Sequence, residues 1–205
     1  MGPGVTDWAN AATSWSGYNA TYPLTPCGYC NEFGNFTGIK DLVIPECTAT
    51  NETDTVATKT FKVPRWRGFD NPFGDIWTNL DGVVIQRTAA NEISSVYTTT
   101  NKEEFTDVIG SKTIAGYEVA QDGYIKEFDL GETAEIIPSS CTGASATTYI
   151  CDYHSCNATS TELRTLLVGG NAIGGGGAGL GSFISHIVVG DAYSDVGFRT
   201  LNRVS

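Results

Sequence analysis

A mainly β protein, α+β with few short helices, is the fold class this sequence predicts: long loops around a twisted antiparallel sheet. Three observations point there. Glycine occurs 24 times in 205 residues, and with the many Thr and Tyr this favours short strands and turns over helices. Several short runs alternate apolar and polar residues with the period of two that a half-buried strand requires. No Leu-rich stretch sustains a helical period. The length allows one good core or two modest ones, and favours one domain preceded by an N-terminal segment.

Residues 1–24 are rich in Ala, Asn, Gly, Ser, Thr and aromatics without clear period. They read as an arm or attachment segment, with Trp8, Trp15, Tyr18 and Tyr22 as docking side chains, or as a frayed terminus tucked on its own domain. The domain proper is expected over 25–205. Residues 25–40 form a glycine-punctuated loop. Residues 58–64 alternate and predict a strand ending at Pro64, and 68–74 is a turn-rich loop broken at Asn71-Pro72. Segments 76–79 and 82–87 read as strands around Asp81-Gly82, a hairpin turn pair, with Trp77 as a large buried plate of about 200 Å2 pinning that hairpin to the core. Further strands are expected at 94–99, 114–119 and 124–128. Residues 101–108 predict a short helix, with Asn101 as cap and Glu103 and Glu104 in the first turn. Residues 131–162 hold three cysteines and few large aliphatics and read as a long loop. Segments 165–168, 182–189 and 196–201 close the sheet.

The formal net charge of −11 rests on 23 acidic against 12 scattered basic residues. A phosphate-binding surface needs clustered Lys and Arg, so nucleic acid is excluded as a partner; the acidic balance fits a self-repelling surface facing solvent. No stretch approaches the ~20 apolar residues of a membrane helix, so no membrane insertion is expected. Residues 1–14 lack the regions of a secretory signal. Gly2 followed by Pro3 makes a poor myristoylation acceptor, and the sequons at Asn19, Asn35, Asn51 and Asn157 read as Thr-rich loop composition.

Six cysteines fall in two clusters: Cys27, Cys30 and Cys47, then Cys141, Cys151 and Cys156. The Cys27-Gly28-Tyr29-Cys30 spacing suits zinc, but the second half, Cys151 to Cys156, has four intervening residues and His154 inside. A mixed zinc site, disulfides within 141–156 and free thiols all stay open. A thioredoxin-like role lacks the surrounding βαβ pattern. No cofactor and no bound metal are expected.

Catalytic patterns are thin. His154 and His186 are the histidines; Ser155 beside His154 lacks a nucleophile elbow, and His186 lies in an alternating strand. Glu103 with Glu104, and Glu127 near Asp129, are ordinary decoration of an acidic chain. The glycine run from Gly174 to Gly181 lacks the Lys-Ser/Thr of a phosphate loop and reads as a flexible crossing. No catalytic residue is named, and the chain is read as no enzyme.

Two separated blocks are the most specific feature: Gly74-Asp75-Ile76-Trp77-Thr78-Asn79, and Leu167-Val168-Gly169-Gly170-Asn171-Ala172 followed by Gly197-Phe198-Arg199. They resemble the C-type-lectin-like fold shared by formylglycine-generating enzymes and phage receptor-binding proteins. A third stretch, Pro26-Cys27-Gly28 and Asn31-Glu32-Phe33-Gly34-Asn35-Phe36-Thr37-Gly38, is similar to phage versions of that fold and not to the enzymes. The enzymes carry copper-binding cysteines between the Gly-Gly and Gly-Phe-Arg elements; between Gly170 and Gly197 this chain has none, so the oxidoreductase activity is the weakest expectation.

The resemblance implies a C-type-lectin-like domain over 25–205 in a virion protein, a tail or fibre component of a phage infecting gut bacteria, made in the bacterial host cytoplasm. It implies homotrimers, other virion proteins as partners, and a host cell-surface glycan or protein as receptor. A structural head-fibre or capsid-decoration protein is the alternative. Display residues are expected in the C-terminal segment: Ser182, Ser185, His186, Asp191, Tyr193, Ser194 and Asp195. Tyr193 is the best anchor, a rigid apolar body with a hydroxyl. Arg199 is expected to reach inward and tie loop carbonyls or a carboxylate such as Asp75 or Asp81.

Overall fold

Strands and turns account for nearly all regular structure, as the composition requires. The computed structural model describes residues 38–46, 57–66, 69–70, 76–148, 150–171, 177–193 and 195–197, with side chains from residue 76 onward. No α-helix occurs among them. The mainly β expectation holds.

Strands β1 (Gly38–Glu46), β2 (Ala57–Trp66) and β3 (Phe69–Asp70) form an antiparallel sheet of their own, Gly38 opposite Arg65. The loop expected over 25–40 thus ends in β1, and β2 runs two residues past Pro64. The N-terminal arm at 1–24 and the Cys27-to-Gly38 match lie outside the described residues, apart from Gly38 itself.

The main sheet is built from β4 (Trp77–Arg87), β5 (Ser94–Thr98), β6 (Thr113–Glu118), β7 (Gly123–Tyr124), β10 (Tyr153–Ser155), β11 (Arg164–Val168), β12 (Phe183–Ile184) and β13 (Val196–Gly197). Its order is β6-β5-β4-β11-β12-β10-β7, with β13 beside the start of β4. Pairings are antiparallel except β10 with β12 and β13 with β4. A separate hairpin pairs β8 (Glu127–Leu130) with β9 (Ile136–Ser140), and its turn hydrogen-bonds to β6 from Glu132 N to Ala115 O. Ile85, Val96, Ile125, Ile137, Cys141, Leu166 and Phe183 make the core. The sheet curls far enough that Glu118, on one edge strand, touches His154 on β10.

Several expectations change. Asp81-Gly82 is no hairpin turn. β4 is one strand, and Arg164 and Leu166 of β11 face Ile85 and Leu80, so β4 bulges between them. Gly82 supplies the left-handed residue (φ +80°) that the bulge needs, and a Cβ there would meet Phe105 at 2.7 Å and Thr99 O at 2.8 Å. Trp77 is half-buried instead of a core plate. The expected helix over 101–108 is one 3₁₀ turn, Lys102–Glu104, which Asn101 caps by accepting from Glu103 N at 3.2 Å. The expected loop over 131–162 contains β9 and β10, and the strand expected over 124–128 splits into β7 and β8. The strand expected at 182–189 shrinks to Phe183–Ile184, plus a bridge between Arg164 and Val188. Of the closing strand expected at 196–201, Val196–Gly197 is described.

Candidate functional site: an aromatic cleft beside a buried charged cluster

The two sequence blocks converge on the first residues of β4. β11 pairs there on one side, Val168 with Thr78, and β13 on the other, Val196 with Trp77. Chain reversal after β11 needs Gly169 (φ +89°) and Gly170 (φ +77°), torsions that glycine adopts at no steric cost. Beside this junction opens a cleft of about 290 Å3 lined by Trp77, Tyr124, Tyr153, Gly170, Gly177, Ala178 and Ile184. Tyr124 and Tyr153 are cross-strand partners on β7 and β10 and meet edge to face, with centroids 5.2 Å apart. Burial pushes the Tyr153 phenol above its ordinary value, so it stays protonated and can donate.

The far wall is held by short polar ties. Asp152 accepts from Gly181 N at 2.7 Å, and a Cβ on Gly179 would fall 1.8 Å from the same carboxylate. Ser182 Oγ donates to Gly177 O at 2.5 Å. These bonds keep the 177–182 segment against β10, which gives the cleft its depth.

Beneath the curled sheet lies a cluster of buried polar groups. Arg87, Ser94 and Glu118 occupy one register row across β4, β5 and β6, each at most 2% exposed. Arg87 donates from Nε to Glu92 O at 2.6 Å and from Nη1 to Asn157 O at 2.9 Å. Arg164, equally buried, donates from Nη1 to Cys156 O at 2.7 Å and Ser185 O at 3.2 Å. The inward guanidiniums seen here are those of Arg87 and Arg164; Arg199, for which such a role was expected, lies outside the described residues. His154 places Nδ1 3.0 Å from Phe183 O and Nε2 3.2 Å from both Val119 O and Glu118 Oε1. Ser185 Oγ donates to Glu118. Burial pushes the Glu118 carboxyl above its ordinary range, against the pull of His154, Ser185, Arg87 and Ser94.

The expected display residues divide. Ser182 and Ser185 are 1% and 0% exposed and bond inward, so neither belongs to a display surface. The strand alternation that would have exposed one of them ends after Ile184. Asp195 is half-buried: its side chain accepts from Asn171 Nδ2 at 2.8 Å and its carbonyl from Trp77 N at 2.8 Å, a junction role. His186, Asp191 and Tyr193 are exposed; Ser194 lies outside the described residues. His186 Nδ1 sits 3.1 Å from Ser155 Oγ, which donates to Asp122 at 3.4 Å. In a hydrolytic relay the carboxylate holds the imidazole; here it holds the serine, so no relay is wired.

Comparison with known proteins returns no matching family model, curated protein or solved structure. The chemistry of the site must therefore be read from its own geometry. The described lining of the cleft offers ring faces, two phenols and backbone, a surface for apolar or ring-shaped ligand faces.

Cys141, Cys151 and Cys156 are unbridged. Burial raises the Cys141 thiol to about 11 and the Cys156 thiol to about 12, so neither is a nucleophilic thiolate at neutral pH. Under native conditions at pH 7.5, iodoacetamide is expected to leave both unmodified and to label them after denaturation. Rapid native labelling, mapped by peptide mass spectrometry, would contradict their burial.

Proposed function

We propose that this chain is a non-enzymatic surface-binding protein, of the phage tail or fibre type that its sequence blocks resemble, and that the aromatic cleft is its ligand site. One observation carries the reading: Trp77, Tyr124 and Tyr153 present half-buried rings around an open cleft at the junction of the blocks. Rings already held by strand pairing lose little entropy when a ligand docks, and protonated phenols add directional bonds. A cell-surface glycan or a protein side chain fits such a surface. His186, Asp191 and Tyr193 offer a second exposed contact. The virion context and a trimeric state rest on the resemblance, where weak contacts gain by avidity.

The labelled protein should be tested on a glycan array and a panel of bacterial cells. Tyr153→Ala and Trp77→Ala are expected to weaken binding about 30-fold, the ~2 kcal/mol of an aromatic anchor. Folded variants that bind like the parent would remove the cleft from the site. If only His186→Ala with Tyr193→Ala weakens binding, the exposed loop is the contact instead.

A second reading, a head-fibre or capsid-decoration protein, is favoured by exposed apolar side chains on β6 and the β8–β9 hairpin: Ile114 40%, Tyr117 53%, Leu130 75% and Ile136 60% exposed. Such a surface suits packing against a neighbouring subunit. Gold-labelled antibody on intact particles separates the two by position.

A further inference from the structure

We infer that Glu118, His154 and Cys156 form a buried site for a divalent cation of the zinc class, with a structural role. One ligand atom from each lies within 4.8 Å of the others, and all three residues are buried. The Glu118 Oε1 to His154 Nε2 distance of 3.2 Å is close to the ~3.4 Å edge that ligands at ~2.1 Å make around a tetrahedral zinc.

The hydrogen bonding points the same way. His154 Nδ1 lies 3.0 Å from Phe183 O and Nε2 lies 3.2 Å from Val119 O; in the tautomer a metal at Nε2 requires, Nδ1 carries the proton and donates it to Phe183 O. This is the outer contact that orients metal-ligating histidines. In that tautomer the other nitrogen, a lone pair, faces Val119 O and Glu118 Oε1, and both are acceptors while Glu118 is ionised. Lone pairs converging in a dry interior repel, and a cation at their meeting point turns that repulsion into coordination. Glu118 supplies a second sign: Oε2 is fully buried with no hydrogen-bond partner. Two rival arrangements satisfy the same contacts with protons alone: imidazolium paired with carboxylate, or a protonated Glu118, which its burial favours, donating to Nε2.

Charge and donor type select the ion. A carboxylate and a thiolate together balance a dication, and the guanidiniums of Arg87 and Arg164 in the same cluster rest on the backbone carbonyls they donate to. Nitrogen, sulfur and oxygen donors suit zinc, whereas calcium and magnesium take oxygen. The ligands come from β6, from β10 and from the residue just after β10, so the ion would staple the edge of the curled sheet to its far side. This role does not depend on the aromatic cleft.

The test uses the full chain, stripped with a chelator and titrated with cobalt(II), whose thiolate charge-transfer band reports sulfur ligation. The parent is expected to bind one equivalent with such a band. Cys156→Ser should lose the band and weaken binding at least about tenfold, while a Cys27→Ser, Cys30→Ser variant keeps both. Folded parent without a thiolate band overturns the site in favour of the proton-only arrangements. A band that survives Cys156→Ser, or that disappears with Cys27 and Cys30, places the metal elsewhere and overturns it as well. Should Cys156→Ser fail to fold, X-ray absorption of the zinc-loaded parent decides: one sulfur with nitrogen and oxygen neighbours supports the assignment, and two or more sulfurs reject it.

Discussion

Arg164→Leu is expected to lower folding stability by about 3–5 kcal/mol, the usual cost of removing one member of a buried charged network. Its guanidinium is 2% exposed and bonds to carbonyls of two separate segments, Cys156 O and Asn157 O after β10, and Ser185 O after β12. Leucine fills much of the volume and makes none of these bonds. Each stranded buried carbonyl costs ~1–3 kcal/mol, although Arg87 still reaches Cys156 O and Asn157 O. Relief of the Arg87–Arg164 repulsion opposes the loss, but Glu118 already offsets part of that repulsion. Guanidinium unfolding followed by circular dichroism gives the number. A midpoint equal to the parent's would show that the carbonyls find other donors and that the arginine clamp is dispensable. Arg164→Lys, with charge but no fork, should fall between.

Gly170→Ala is expected to cost ~2–5 kcal/mol, from ~1–2 for a side chain in the left-handed region and ~1–3 for overpacking. At φ +77° its Cβ would lie 2.4 Å from Ala178 Cβ and 2.6 Å from Ala178 Cα. Backbone cannot swing aside as a flexible side chain can, so the 177–182 segment must shift and the cleft with it. Gly190→Ala is the control, because its φ of +86° is as strained while nothing lies within 4 Å of the added carbon. The difference in melting between the two variants isolates the contact. If they melt alike, the closeness of Gly170 to Ala178 carries no energy and the cleft wall is looser than drawn.

Much of the strand content was legible because alternation and turn residues are local signals. The runs at 94–99, 114–119 and 165–168 became β5, β6 and β11 within a residue, and Asn101 caps the turn expected of it. Misreadings came where one residue type serves two geometries. Asp81-Gly82 supports a hairpin turn or a bulge equally well, since both need a left-handed glycine; pairing with β5 and β11 on either side decided for the bulge. Trp77 and the paired glycines stood out as motif residues with an expected place in the core, not as a site, and that Tyr124 and Tyr153 would join Trp77 around a cleft depended on β7 meeting β10, a pairing between residues with no local relation.

The charged cluster was the least legible part. Glu118 and Ala115 both face inward although strict alternation sends them to opposite faces. A register shift between β5 and β6, where Val96 and Tyr97 face Gly116 and Ile114, inserts the extra residue that turns Glu118 inward. Sequence alone thus determined that this chain forms strands punctuated by glycine, carries a strong negative charge and brings two motif blocks to the domain, because those properties depend on neighbours along the chain. Tertiary structure alone decided which polar groups are buried together, since a bulge of one residue inverts a face and only the curl of the sheet brings β6 to β10. That is also why Ser182 and Ser185, expected at the surface, are inside, while Glu118 and His154 lie within a hydrogen bond of each other.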